Sequence, residues 1–220
     1  MAAIAADRPH VHRMVVVHRL FTRESRLLAE LVPATAVGDR DRVSTLAAHF
    51  RDYRTALHHH HEAEDELLWP KLLARVDLDA DVVLRMEEQH GRIAATLTRA
   101  SAAFVEWERT ADEVARARLA GILREHRSVV ADHVHDEETY VLPLIEEHLT
   151  VPEWEAFNAR AAAGVPAAKR LMLLGAILED ADPRERAYLL GGLSLPVRLL
   201  WRLLGRPAYA RRMRRVRTGG

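Results

Sequence analysis

His60-His61-Glu62-Ala63-Glu64-Asp65-Glu66-Leu67-Leu68-Trp69-Pro70 and, 73 residues further on, His133-Val134-His135-Asp136-Glu137-Glu138-Thr139-Tyr140-Val141-Leu142-Pro143 carry one pattern: His, three residues, Glu, five residues, Pro. On a helix, positions i and i+4 share a face, with Cβ atoms roughly 5–6 Å apart. Each copy therefore aims one imidazole and one carboxylate at the same point. Two such helices facing each other would make a nitrogen and oxygen cage for metal ions.

The repeat runs deeper than this motif. Met14-x3-His18 matches Met86-x3-His90, and the interval from His18 to His60 is 42 residues against 43 from His90 to His133. The chain thus reads as two copies of a helix pair, each supplying one lone His and one His-x3-Glu. A lone His on an apolar helix face is usually a boundary side chain. Within the repeat, His18, His60, Glu64, His90, His133 and Glu137 are the candidate metal ligands, because a buried carboxylate needs a cation or hydrogen-bond donors.

Composition supports this reading. The chain has 220 residues, 49% hydrophobic and only 5% aromatic, with Ala, Leu, Val, Arg and Glu dominant. That favours helices around one sizeable core. There is no cysteine, which excludes disulfides, thiolate zinc sites and iron–sulfur clusters. A metal must then be held by His, Asp or Glu. No signal-like leader and no bilayer-length apolar run is present, so a cytoplasmic location is expected. The zero net charge conceals a division: Leu193 to Gly220 holds eight of the 32 basic residues and none of the 32 acidic ones.

Four long amphipathic segments follow from the apolar periodicity. The first runs from about Val11 to Leu31 and is expected to stop at Val32-Pro33. The second starts near Asp41 and puts Leu46, Phe50, Tyr53, Leu57, His60, Glu64 and Leu67–Leu68 on one face. Asp79 or Asp81 caps the third, which presents Val83, Met86, His90, Ile93 and Leu97. Thr110-Ala111-Asp112-Glu113 has the capping-box form and opens the fourth, which runs to about His148. Pro70 and Pro143 fall near the ends of the second and fourth, where a kink is tolerable. Short connections predict an all-α, up-down-up-down four-helix bundle over residues 10–150. Residues 151–220 form a C-terminal helical extension with short helices near Glu153–Ala162, Ala167–Glu179, Pro183–Leu190 and Pro196–Leu204, then an Arg-rich tail.

These residues resemble the hemerythrin-like, or HHE cation-binding, domains. His18, His60 with Glu64, His90, and His133 with Glu137 match the family's pattern over about residues 10–150, and the extension resembles those of some bacterial members. The resemblance implies a centre of two non-haem iron ions, oxo- or hydroxo-bridged, with manganese or zinc the lesser expectation. It also implies a role in binding or reacting with dioxygen, peroxide or nitric oxide, in sensing or in stress protection. Glu64 and Glu137 would bridge the ions and the four His would be terminal. Six protein groups cannot saturate two six-coordinate ions, so open positions for small ligands remain. Oxygen-carrying hemerythrins use a His-x3-His pair on the third helix. Here Met86 and Ala94 flank His90 at that spacing, which argues against simple oxygen transport. Glu87, Asp136, Glu138 or His61 are further candidate ligands, none with a counterpart in the repeat. Ferritin-like di-iron proteins need Glu-x2-His on two helices, and this chain offers only Glu87-x2-His90.

Other residues receive weaker assignments. His58 and His59 are expected in solvent, as are His10, His12, His135 and His148. His126 and His49 fall on the faces of His133 and His60 and are candidates to line the interior. Met14, Met86, Phe21, Ile93, Leu57 and Val130 are expected to wall the centre, and Tyr53 to pack or donate a hydrogen bond. If the chain is an enzyme, peroxide disproportionation is the expected reaction; binding or sensing is favoured. A rival reading is a metal-stabilised adaptor acting through its basic tail at a membrane or partner surface. No reader of nucleic acid is recognisable. The C-terminus is expected to be a docked helix followed by a solvated Arg tail, and Leu195–Leu204 could instead lie on an anionic membrane.

Overall fold

The computed structural model describes residues 8–76 and 80–218. Helices α1 (His12–Ala34), α2 (Arg40–Leu67), the short α3 (Trp69–Leu73), α4 (Ala80–Thr110) and α5 (Glu113–Asp136) come first, and no strand occurs among the described residues. Both α1 and α4 pack against α2 and α5, which closes a ring of four. Short connections join α1 to α2 and α4 to α5 as antiparallel pairs, and α3 lies in the longer crossing from α2 to α4.

The apolar stripes explain the packing. α2 buries Val43, Leu46, Phe50, Tyr53, Leu57, His60 and Glu64 in steps of three and four. α4 does the same with Val83, Met86, His90, Ile93 and Leu97. Two apolar clusters result, one around Phe50, Phe104 and Trp107 and the other around Met14, Trp69, Met86 and Trp154. The four His of the repeat sit between them.

Helix ends depart from expectation in three places. α1 continues through Pro33 to Ala34, because a proline in the last turn costs little while Val32 is fully buried. The cap of α5 is Asp112, whose side chain accepts from the Ala115 N–H, and Thr110 instead ends α4. Asp112 wins because Ala111 takes a left-handed φ of 52° and turns the chain just before it. Asp81 lies in the first turn of α4, whereas a cap at Asp79 falls outside the described residues.

Both prolines of the repeat interrupt their helices. α2 ends at Leu67, two residues before Trp69-Pro70. After α5 a π-helical turn over Glu137–Val141 precedes α6 (Leu142–His148). Proline has no N–H for the preceding turn, and the slack is taken up beside the motif.

The extension consists of α7 (Val151–Ala163), α8 (Ala167–Glu179), α9 (Pro183–Gly191), α10 (Leu195–Leu200), a second π-helical turn at Trp201–Gly205, and α11 (Arg206–Thr218). Thr150 with Glu153 and Asp182 with Glu185 form capping boxes at α7 and α9. The Arg-rich segment is a helix rather than a loose tail. It turns Met213 and Val216 into the main core and Arg211, Arg214 and Arg215 outward. Polar ties hold the extension on the bundle: Glu185 pairs with Arg19 at 2.9 Å and His12 at 2.6 Å, Asp52 holds Lys169 at 2.6 Å together with Arg212, and Arg160 reaches Glu66 at 2.7 Å. No single helix among the described residues is long and apolar enough to cross a membrane. α7 and α8 reach that mark only jointly, across a bend of 116°.

Candidate metal centre

The structure brings all six candidate ligands together. α1 supplies His18, α2 His60 and Glu64, α4 His90, α5 His133, and the π turn Glu137; every one is buried. The inner nitrogens converge on two carboxylates. Nε2 of His60 and of His90 lie 3.0 and 3.4 Å from the two separate oxygens of Glu64. Nε2 of His18 and of His133 lie 3.2 and 3.4 Å from a single oxygen of Glu137.

None of these close approaches is a hydrogen bond. Nine buried side-chain atoms among the described residues lack a partner; eight are the Nε2 atoms of these four His and the four oxygens of Glu64 and Glu137, and the ninth is Trp69 Nε1. Buried polar atoms are rarely orphaned, so eight in one cluster call for an occupant. The spacing fits a cation: donors at right angles, each about 2.1 Å from a shared ion, lie about 3.0 Å apart.

The outer nitrogens explain how the inner ones are aimed. Nδ1 of His18 donates to Glu138 at 3.0 Å, and Nδ1 of His90 donates to Asp65 at 2.7 Å. Nδ1 of His133 donates to Gln89 Oε1 at 3.2 Å, and the Gln89 amide donates to Asp136 at 2.9 Å. A carboxylate or amide oxygen only accepts, so Nδ1 of His18, His90 and His133 carries a proton, which turns Nε2 of each toward the two carboxylates. Glu138 does have a counterpart in the repeat, contrary to expectation: it follows Glu137 as Asp65 follows Glu64, and each serves the lone His of the other half. Asp136 likewise sits on Gln89 instead of facing inward.

Charges in the cluster are frustrated without a cation. Burial, the adjacent Glu137 and Asp65 push Glu64 well above the usual carboxylate range. For Glu137, burial is outweighed by His18, His133 and His60, and its carboxyl is held at about 2. Burial also opposes the charged form of His18, but Glu137 and Glu138 overcome it and hold the imidazole up at about 9. Burial and neighbouring imidazoles depress His60, and burial brings His133 down to about 4. A cation that displaces the inner proton of His18 would face four imidazoles and two carboxylates, the donor set that a borderline divalent metal takes.

His61 joins the cluster from α2. Its ring stacks on His90 with centroids 4.0 Å apart and meets that of His133 at 5.0 Å. One donor atom each from His61, Glu64, His90 and His133 lie within 4.8 Å of one another, as do those of His18, His60 and Glu64. Glu87 is exposed and lines, with His61, His90 and Asp65, an open cleft beside the centre.

The rest of the surround is apolar. Met14, Met86, Phe21, Ile93, Leu57 and Val130 are all buried, as expected of a wall. The Phe21 ring lies 5.0 Å from His60. Phe157 of α7 adds a contact at 6.1 Å that the repeat could not reveal, because it comes from outside the bundle. A cavity of about 80 Å³ runs from His60 between Val17, Phe157, Val165, Leu173 and Ile177. Beyond Phe21, the Tyr53 hydroxyl donates to His126 Nε2 at 2.7 Å and His126 Nδ1 donates to Thr96 at 2.7 Å. His49 instead pairs with the buried Glu24 at 2.7 Å, away from the centre. His12, expected in solvent, is half-exposed against Glu185.

The bundle, its duplicated motif and this donor set define a cation-binding helical protein. Residues 10–151 match the family model for the hemerythrin HHE cation-binding domain, and the chain belongs to that family. Comparison with curated proteins and with solved structures gave no match.

Proposed function

We propose that this chain holds two non-haem iron ions and uses them to bind or react with dioxygen, peroxide or nitric oxide, in sensing or in protection against oxidative and nitrosative stress. The observation that carries the reading is the set of eight unpartnered inward atoms on His18, His60, His90, His133, Glu64 and Glu137. Glu64 gives one oxygen to the side of His60 and the other to that of His90, as a bridging carboxylate would. Glu137 would join the two sides through the oxygen facing His18 and His133.

Bound iron would supply reversible one-electron change and free coordination positions for a small ligand. The protein does the rest. Asp65, Glu138 and Gln89 orient the imidazoles of His90, His18 and His133. Phe21, Phe157 and the apolar wall exclude bulk water from the His60 side, which slows escape of a reactive ligand. The cavity beside His60 has room for a diatomic molecule or peroxide.

Spectroscopy of the aerobically purified protein tests the reading. Absorption bands of ferric iron should be bleached by a reductant and restored or altered by dioxygen, peroxide or nitric oxide. A colourless zinc protein, or bands indifferent to all of these, would contradict it. Oxygen release from peroxide that disappears in Glu137→Ala would make the chain an enzyme; ligand-dependent spectra without turnover would make it a sensor.

A further inference from the structure

The segment Leu195-Pro196-Val197-Arg198-Leu199-Leu200-Trp201-Arg202-Leu203-Leu204 shows an anomaly of burial. Leu195, Leu199, Leu200, Leu203 and Leu204 are between 45% and 68% exposed, and only Trp201 and Gly205 turn inward. Scattered surface leucines need no explanation, but five within ten residues form a patch. Trp201 and Gly205, one turn apart, anchor the helix on the body, with the Trp201 ring occupying the space a Cβ at Gly205 would fill. The leucines therefore face away from the protein.

Charge selects the occupant. Arg198, Arg202 and Arg206 recur every four residues and line one edge of the leucine face, all exposed. None of the three has an acidic partner among the described residues, whereas Arg160, Arg212 and Arg217 of the same extension each hold one. Arg211, Arg214 and Arg215 continue the positive surface along α11. A second copy meeting this patch through its own would bring these cations together unneutralised. A surface of anionic headgroups over acyl chains matches both halves of the pattern: leucines enter the chain boundary while the Arg edge stays at headgroup level.

We propose that α10, the π turn after it and the start of α11 form a peripheral membrane-docking surface that binds anionic lipid bilayers with the helix axis in the plane of the membrane. The bundle would then hold its centre at a lipid surface. The docking is independent of what occupies that centre.

Co-sedimentation of the full-length, metal-containing protein with vesicles tests this. Phosphatidylcholine vesicles containing phosphatidylglycerol should bind the protein, and pure phosphatidylcholine vesicles should bind it far more weakly. Each Arg is worth about fivefold near an anionic surface, so replacing Arg198, Arg202 and Arg206 by Gln should weaken binding roughly a hundredfold. Replacing Leu199 and Leu203 by Gln keeps every charge and should still cost roughly tenfold or more. All of these side chains are exposed, and an unchanged circular dichroism spectrum and metal content would verify that the variants fold. Absence of binding to the anionic vesicles would overturn the proposal. So would leucine variants that bind like the parent, since a purely ionic polyanion site reads Arg alone. Self-association abolished by the leucine changes, without vesicle binding, would assign the face to a second copy and equally overturn it.

Discussion

Asp65 accepts a hydrogen bond from the outer nitrogen of His90 at 2.7 Å, although the two residues come from different helices and from opposite halves of the internal repeat. Glu138 does the same for His18 at 3.0 Å. The duplication thus includes the groups that orient the imidazoles, and each half-repeat steers the lone His of the other. Metal bound there would therefore depend on contacts across the bundle as much as on the donors themselves.

Replacing either acid by its amide should show this. Asp65→Asn and Glu138→Gln each keep the shape but lose the charge that holds the Nδ1 proton. Each should weaken metal affinity by about 10- to 100-fold, by similar amounts, while the fold is retained. Competition titration against a chelator measures it. Unchanged affinity in both variants would remove these residues from the account.

Glu64→Gln should change sign with metal. Without metal, Glu64 is buried with both oxygens unpartnered and is pushed well above the usual carboxylate range, so neutralising it should leave the protein as stable or more so, by about 1 kcal/mol or more. With metal, the variant loses a ligand, and its melting temperature should no longer respond to the ion. Thermal unfolding with and without chelator reads both. A variant destabilised equally in both states would mean that Glu64 is an ordinary packing residue.

How much of this could be read from sequence follows helical geometry. His18, His60, Glu64, His90, His133 and Glu137 were legible because positions i and i+4 share a face and the pattern occurs twice. Asp65 and Glu138 were not read as a pair, since each is one residue past its Glu and so turned about 100° away, onto what looks like a solvated face. Both find their His only because α1 and α4 lie alongside. His61 was ambiguous for the same reason. Phe157 carries no signal at all: it reaches His60 through the docking of α7 on α2, a tertiary contact no periodicity encodes. The start of α5 was misplaced by two residues because Thr110 and Asp112 both look like caps, and the left-handed Ala111 between them decides.

Acid should destabilise the protein through His126. Burial lowers its pKa to about 4, against about 6.5 in an unfolded chain. Between these values the unfolded state binds a proton that the folded state refuses. Stability is thus lost as pH falls through that window, by about 3 kcal/mol in all. His126→Gln should remove this component. Urea unfolding at several pH values between about 7 and 4 should show the parent losing stability more steeply than the variant; parallel curves would contradict the buried neutral imidazole.

Gly175→Ala should loosen the C-terminal helix. A Cβ there would sit 2.4 Å from Cγ of Tyr209, whose ring packs α11 against α8. The crowding should cost about 1–3 kcal/mol and speed tryptic cleavage within Arg211–Arg217, leaving the metal centre intact. Unaltered cleavage would mean that the Tyr209 ring has room to move.

If six side chains from two half-repeats hold a pair of ions, as proposed, metal content per chain shows it directly. Elemental analysis of the purified protein should find about two iron ions per chain, falling below one when His90→Ala and Glu137→Ala are combined. A single ion per chain, zinc alone, no metal, or a content unaffected by those changes would contradict it.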